Sequence, residues 1–391
     1  MTNERLPGPL TVYRRRAMAS DFEISFNDRG YESVDGAEFE ASAALDALDA
    51  IDRIEDALSI FRPTSALSRV NLLASEMDVR VDDALWEWLQ TALRLGAETD
   101  YAFDVTSTPL WRAWGFARRD GEFPSADVLK RATELVGVAR LRLDEDARTI
   151  AFDRQGVELN FGAIGKGIAL DVASEILSER GVADFLAQGG KSGAVARGGR
   201  RDDYPPQETR AGSDVDDSSF DKELDAEVDE EVDEESGLPT RSSQRSEPRF
   251  AARRTSDDEF DARTGWTIGV AHPLAPERRL GEIWLKDRAL ATSGSTYQFF
   301  RSGGKRYSHV IDPRTGYPTV GVLQTTVLAP TATEADALST AFFVLGVEKS
   351  REICERRGDV SALFALEKPT YPGYELVEIN LSPTVWRPTE R

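Results

Sequence analysis

The chain predicts an α+β fold, with mixed sheets and packed helices in a single domain that carries one disordered acidic insertion. Three observations point there. Apolar residues recur every three or four positions through Leu45, Leu48, Ile51, Ile54 and Leu58, and again through Leu85, Trp88, Leu89 and Ala92, as on amphipathic helices. Short stretches such as EISF (residues 23–26) alternate as half-buried strands do. The strands come in hairpins as well as in strand–helix pairs, which argues against a regular parallel α/β sheet. With 391 residues, 40% of them hydrophobic, the chain has material for a sizeable core.

In order, residues 1–16 are polar and read as a loose arm before a strand that begins near Ala17. A helix is expected over residues 38–59. The stretch SIFRPTSALSRVN (residues 59–71) reads as loop because of Pro63 and its Ser/Thr cluster. A second helix over residues 82–95 takes Asp82 or Asp83 as its cap and stops at Gly96. Residues 103–116 are loop-like and aromatic, and a short helix follows near 126–136. RLRLDEDARTIAF (residues 140–152) is a hairpin around Asp144 and Asp146. A strand at 157–161 runs into GAIGKG and a helix over 168–179, and a buried strand at 183–188 enters Gly189-Gly190.

Between residues 199 and 264 the composition shifts to Asp, Glu, Arg, Ser and Pro, too polar to offset the entropy of ordering. This reads as a disordered insertion dividing one domain into parts at 17–198 and 265–391. Strands then follow at 265–270, 283–285, 289–292, 307–311 and 322–328, helices at 334–345 and 347–356, and strands at 360–366 and 374–379. No internal repeat occurs.

Composition excludes several functions. The net charge of −21 disfavours nucleic acid, whose phosphates reward lysine and arginine. Much of it is local, since residues 202–235 hold 16 acids against two bases, leaving −7 for the remainder. Cys354 stands alone, so neither an internal disulfide nor a multi-cysteine metal site is available. No run of about 18 apolar residues would span a membrane. The first residues lack the apolar core of a signal peptide, which gives a cytoplasmic expectation.

Three stretches could carry chemistry. Residues 292–318 combine Gly294, Gly303, Gly304 and Gly316 with Thr292, Ser293, Ser308, Lys305, Arg306 and His309. That mixture suits an anion, although two strands joined by a Gly-Gly hairpin would explain the glycines equally well. GAIGKG (residues 162–167) lies where a strand meets a helix, a place that favours anions, but lacks the spacing of a Walker A loop. Asp336 and Thr340, four apart, share one helical face, so a carboxylate and a hydroxyl can converge on a hard cation. Asp336 would equally offset the helix dipole. His272, before Pro273, reads as a surface residue without a partner.

Taken in order, these pieces resemble the FAD:protein FMN transferases, the ApbE family. The motifs are AMAS (residues 17–20, taken as strand), LSIFRP (58–63) followed by Ser65, Leu67, Ser68, Arg69 and Asn71, and FDVT (103–106) with WGF (114–116). They continue with GAIGKGIALD (162–171), Gly189-Gly190, TSGSTY (292–297), YSHVIDPRTGYP (307–318) and ADALST (335–340). The resemblance implies a magnesium-dependent enzyme that moves the FMN half of FAD onto a Thr or Ser hydroxyl of a target redox protein, releasing AMP. It implies that Asp336 and Thr340 hold Mg2+ by their side chains and Gly165 by its carbonyl. Thr292, Ser293 and His309 would lie at the pyrophosphate, His309 as a donor or as a proton shuttle. Met18, Phe61 and Asn71 would line the flavin and adjoining groups, with Asp104 and Thr106 near them, and Lys166 and Asp171 would meet the nucleotide.

Three positions depart from the family pattern. Gly165 stands for alanine, Ala19-Ser20-Asp21 for Gly-Thr-Thr, and Lys191 for the acid that follows Gly189-Gly190. The last reverses a charge. It keeps two alternatives in view, a magnesium-dependent FAD pyrophosphatase and a flavin-binding protein without catalysis.

Overall fold

A computed structural model describes residues 10–27, 34–116, 123–200, 265–295, 299–302, 305–368 and 373–389. The chain divides into two units, Met1–Asp203 with Asp261–Arg391, and Tyr204–Phe260. The second unit lies outside the described residues, and so does the expected insertion apart from residues 199 and 200, where Gly199 donates its N–H to Asp184 and accepts from the Asn27 amide.

The first elements are the hairpin β1 (Leu10–Ala17) and β2 (Ser20–Asn27), followed by helices α1 (Val34–Leu58) and α2 (Ala66–Leu73). Next come β3 (Val79–Arg80), α3 (Asp83–Glu98), α4 (Thr108–Ala113), α5 (Ala126–Thr133), β4 (Leu141–Asp144) and β5 (Thr149–Phe152). Helix α6 (Gly165–Glu179) leads into the hairpin β6 (Phe185–Gly189) and β7 (Gly193–Arg197). The second half opens with β8 (Trp266–His272), β9 (Ala275–Leu285) and β10 (Arg288–Gly294). Short strands β11 (Phe299–Ser302), β12 (Lys305–Ser308), β13 (Ile311–Asp312) and β14 (Tyr317–Pro318) follow, then β15 (Val322–Ala329). Helix α7 (Ala332–Arg357) precedes β16 (Ser361–Glu367), β17 (Tyr374–Ile379) and β18 (Trp386–Pro388).

One eight-stranded sheet, in the order β1-β2-β6-β7-β10-β15-β16-β17, organises these elements, and every neighbouring pair in it is antiparallel. Side chains alternate across a sheet, and here both faces are used. Phe185, Ala187, Val195, Ala289, Ala291, Val327, Ala362 and Phe364 join the main core with α1, α6 and α7. The residues between them (Leu186, Ala194, Ala196, Leu290, Leu328 and Leu363) face a three-stranded sheet, β18-β9-β8, over Trp266, Ile283 and Trp386. Helices, large sheet and small sheet thus form three layers. The central strands read as near-continuous apolar runs because neither face meets water.

A smaller core gathers Leu110, Trp114, Phe116, Ala132 and Ile311. Trp114 donates its indole N–H to the Gly316 carbonyl at 2.7 Å, and its ring meets Phe123, Phe300, Tyr307 and Tyr317. The turn between β13 and β14 is thereby pinned to α4 and α5.

Several expectations are corrected. The arm expected to be loose is already strand from Leu10, its outward arginines answered by Glu23, Asp49, Asp52 and Asp21; residues 1–9 lie outside the described set. Ala17 to Ser20 is a hairpin turn and not a strand, with Met18 and Ala19 left-handed at φ 49° and 56°. The stretch expected as loop after Pro63 contains α2, because Ser65 is a helix cap that accepts from the Ser68 N–H. Within the aromatic stretch 103–116, α4 forms with Pro109 in its first turn. Helix α3 continues past Gly96 to Glu98. Residues 157–161 join no sheet; the Asn71 amide instead accepts from Leu159 N–H and donates to Leu159 C=O, both at 2.8 Å. Leu45 is 49% exposed, since alanines 43, 44 and 47 form the buried side of α1 there. His272 is half-buried, its Nδ1 accepting from Leu274 and Ala275 N–H. One expectation holds where the element bounds hide it: the two helices expected at 334–345 and 347–356 lie on either side of Gly346, whose φ of 75° and ψ of −175° break the helical path within α7.

Candidate active site

Two helix N-termini meet at one point. Strand β15 ends before Pro330, and Thr331 caps α7 by accepting from the Glu334 N–H. The segment before α6 is held by Asn71 on one side and, on the other, by Asn160 N–H donating to the Val105 carbonyl. At Gly167 α6 passes so close to α7 that an added Cβ would lie 2.4 Å from the Ala332 oxygen, so only glycine permits the crossing.

The helices cap each other there. Asp171 of α6 accepts from the N–H groups of Ala332 and Thr333, at 2.7 and 2.8 Å, and Asp336 of α7 accepts from the Gly167 N–H at 3.1 Å. Each carboxylate sits at the positive end of the other helix. Burial pushes both carboxyls above their ordinary range. It outweighs the Lys166 charge and the Gly167 N–H at Asp336, and at Asp171 the bonds from Thr333 and Ala332 together with the Arg197 charge. A nearly buried carboxylate whose ionised form needs more positive charge than it has is a natural ligand for a hard cation.

The hydroxyls that could join it stand on the neighbouring turn and strand. Ser293 Oγ lies 2.8 Å from Ser339 Oγ and 3.1 Å from Thr340 Oγ1, and Ser339 Oγ donates to the Asp336 carbonyl at 2.9 Å. Among the described residues no group of three or more His, Cys, Asp or Glu could enclose a metal. A cation here would use the Asp336 carboxylate, the Thr340 hydroxyl and backbone oxygen of the α6 opening, where Gly165 stands, and would complete its shell from a bound ligand.

The site residues expected from sequence fall into groups. Gly165, Lys166, Asp171, Asp336, Thr340 and Ser293 come together at the α6–α7–β10 junction. Thr292 does not, for alternation turns it to the opposite face, where its hydroxyl pairs with Thr326 at 2.9 Å. Asn71 is taken up by Leu159. Asp104 accepts from both the N–H and the hydroxyl of Thr106, whose oxygen in turn accepts from the Gly137 N–H. These three side chains hold the loops on which the junction is built. Met18 is half-buried at the β1–β2 turn, and Phe61 is 82% exposed after α1. His309 sits beside the pinned β13–β14 turn, its ring edge-on to Phe116.

Lys191 is exposed at the β6–β7 turn. That turn touches the β1–β2 turn through Gly190 N–H and the Asp21 carbonyl, at 2.8 Å. The Asp21 carboxylate is answered by Arg16 at 3.0 Å, so its charge is already balanced. Ser339 went unnoticed in sequence, although a serine three residues after Asp336 on one helical face was a signal for it.

Known proteins resemble this chain in sequence and in fold. The family described as "ApbE family" matches residues 18–207 and 253–364. A protein named FAD:protein FMN transferase from Escherichia coli (strain K12) is 27% identical over 337 residues, which cover 83% of this chain and 78% of the relative. One of the same name from Treponema pallidum is 27% identical over 334 residues, covering 83% and 77%. Among solved structures, the ApbE protein of Thermotoga maritima superposes with a TM-score of 0.68 at 23% identity, covering 95% of this chain and 97% of that one. The flavin transferase ApbE from Vibrio cholerae gives 0.67 at 23% identity, covering 96% and 98%. With most of its length matched on both sides of the stretch centred near residue 230, the chain belongs to the ApbE family.

Proposed function

We propose that this chain transfers FMN from FAD to a Thr or Ser hydroxyl of a target protein, as the names of its relatives suggest, and that it does so with Mg2+. The observation that carries the reading is the meeting of the α6 and α7 N-termini around the nearly buried Asp336. Two positive helix ends, Lys166 and a cation site offer what a pyrophosphate requires, namely charge withdrawn from the bridging oxygen as its bond to phosphorus breaks. Bound magnesium would supply Lewis acidity at the phosphate oxygens. The hydroxyl oxygen of the target attacks the phosphorus of the FMN half, AMP leaves with the bridging oxygen, and the hydroxyl proton is lost. His309 is the residue we assign to take that proton or to donate to a phosphate oxygen. Lys166 steadies the Asp336 charge, Asp171 fixes the α7 opening, and Phe61 and Met18 offer apolar surface to the isoalloxazine ring.

The test follows AMP release from FAD and Mg2+, with and without a threonine-bearing protein substrate, reading the substrate by mass spectrometry. AMP together with a mass increase of one FMN less one water supports the transfer. AMP without modification of any substrate supports hydrolysis instead, and FAD binding without AMP supports a flavin carrier. Asp336→Ala is expected to abolish Mg2+-dependent turnover while FAD still binds; full activity in that variant would remove the metal site.

A further inference from the structure

Three hydroxyls between β10 and α7 form a chain with one best direction. Each hydroxyl has a single proton to donate. The shortest contacts are Ser293 to Ser339 at 2.8 Å, Ser339 to the Asp336 carbonyl at 2.9 Å, and Thr340 to Ser293 at 3.1 Å. A carbonyl only accepts, so Ser339 gives its proton to Asp336 C=O. Ser293 then gives its proton to Ser339, and Thr340 gives its own to Ser293. The remaining contact, Thr340 to the Asp336 carbonyl at 3.4 Å, would turn the Thr340 proton inward as well.

Ser339 is fully buried and Thr340 is half-buried, so the relay is anchored inside and ends at the accessible group. With its proton held inward, Thr340 Oγ1 presents lone pairs outward, as a cation ligand must.

We infer that Ser339 and Ser293 are positioning residues that orient the Thr340 hydroxyl as a metal ligand. The inference rests on the cation site proposed above. Neither serine touches the cation in this arrangement; each acts through Thr340. Loss of Ser339 frees the Ser293 proton to turn toward Thr340 and occupy the lone pair that the cation needs. Partners of this kind are worth about 10- to 100-fold in metal affinity.

The test measures Mn2+ binding to the full chain in saturating FAD, reading free Mn2+ by electron paramagnetic resonance. Ser339→Ala and Ser293→Ala should each weaken Mn2+ by about tenfold, whereas Ser293→Thr, which keeps the link, should bind as the unmodified chain does. Combined with Thr340→Val, Ser339→Ala should add no further loss, because its effect has lost its route. Unchanged affinity in Ser339→Ala, or losses that add in the double variant, would overturn the relay alone. Failure of the unmodified chain to bind Mn2+ would overturn the cation site, and the relay with it.

Discussion

At Thr325 a buried hydroxyl has gone without a partner. It lies opposite Ser293 on the helix-facing side of the sheet, and among the described residues its Oγ1 finds no hydrogen bond. An unsatisfied buried hydroxyl costs about 1–3 kcal/mol, so Thr325→Val should raise the stability by about 1 kcal/mol, read as a higher urea midpoint. Asp104 makes the complementary case. Burial raises its carboxyl despite two bonds from Thr106, so the native state holds the proton to higher pH than the unfolded chain does. Stability is therefore lost as pH rises from about 4, the unfolded value, through the raised native one. Asp104→Asn keeps an acceptor for Thr106 and should flatten that loss, which urea melts between pH 4 and 7 would show. Neither environment was legible in sequence, where Thr325 is one of two adjacent threonines in a strand. The types at the junction were legible, because Asp336 and Thr340 carry their spacing openly. Which neighbours they meet was not, since Gly167 and Ser293 are distant in the chain.

Among the elements, the helices show best what a pattern can and cannot convey. Periodicity located α1 and α3 because a buried stripe leaves its mark every three or four residues. It missed α2, whose Ser/Thr-rich approach reads as loop until Ser65 is seen capping the Ser68 N–H. The β1–β2 turn was also hidden, for Met18 and Ala19 carry none of the usual chemistry of left-handed backbone. The α6–α7 pair depends on Asp171, which satisfies two N–H groups of the α7 opening. Asp171→Ala should cost about 2 kcal/mol and speed amide exchange at Ala332 and Thr333, while Asp171→Asn, retaining one acceptor, should cost less. Exchange at both amides unchanged from that of the unmodified chain would show that Asp171 does not cap the α7 opening.

On the scale of the molecule, the three-layer arrangement followed from sequence only as far as its class. Mixed strands and helices were evident, but strand order was not, because the neighbours β7 and β10, or β2 and β6, are joined by long connections. We propose that residues 199–264 are an insertion the fold can do without. On the near side β7 ends at Arg197, and on the far side β8 begins at Trp266, whose buried indole donates to the Arg197 carbonyl at 3.1 Å. A protein lacking residues 202–259 should therefore fold, with a melting temperature within a few degrees of the full chain, since loop length enters stability only through its logarithm. An unfolded or insoluble product would show that the segment supports the core. The same bond brings together the two strands that flank residues 201–264 in the chain. A foreign domain with neighbouring termini could be spliced in there as cargo, and the three layers of the host would keep their geometry.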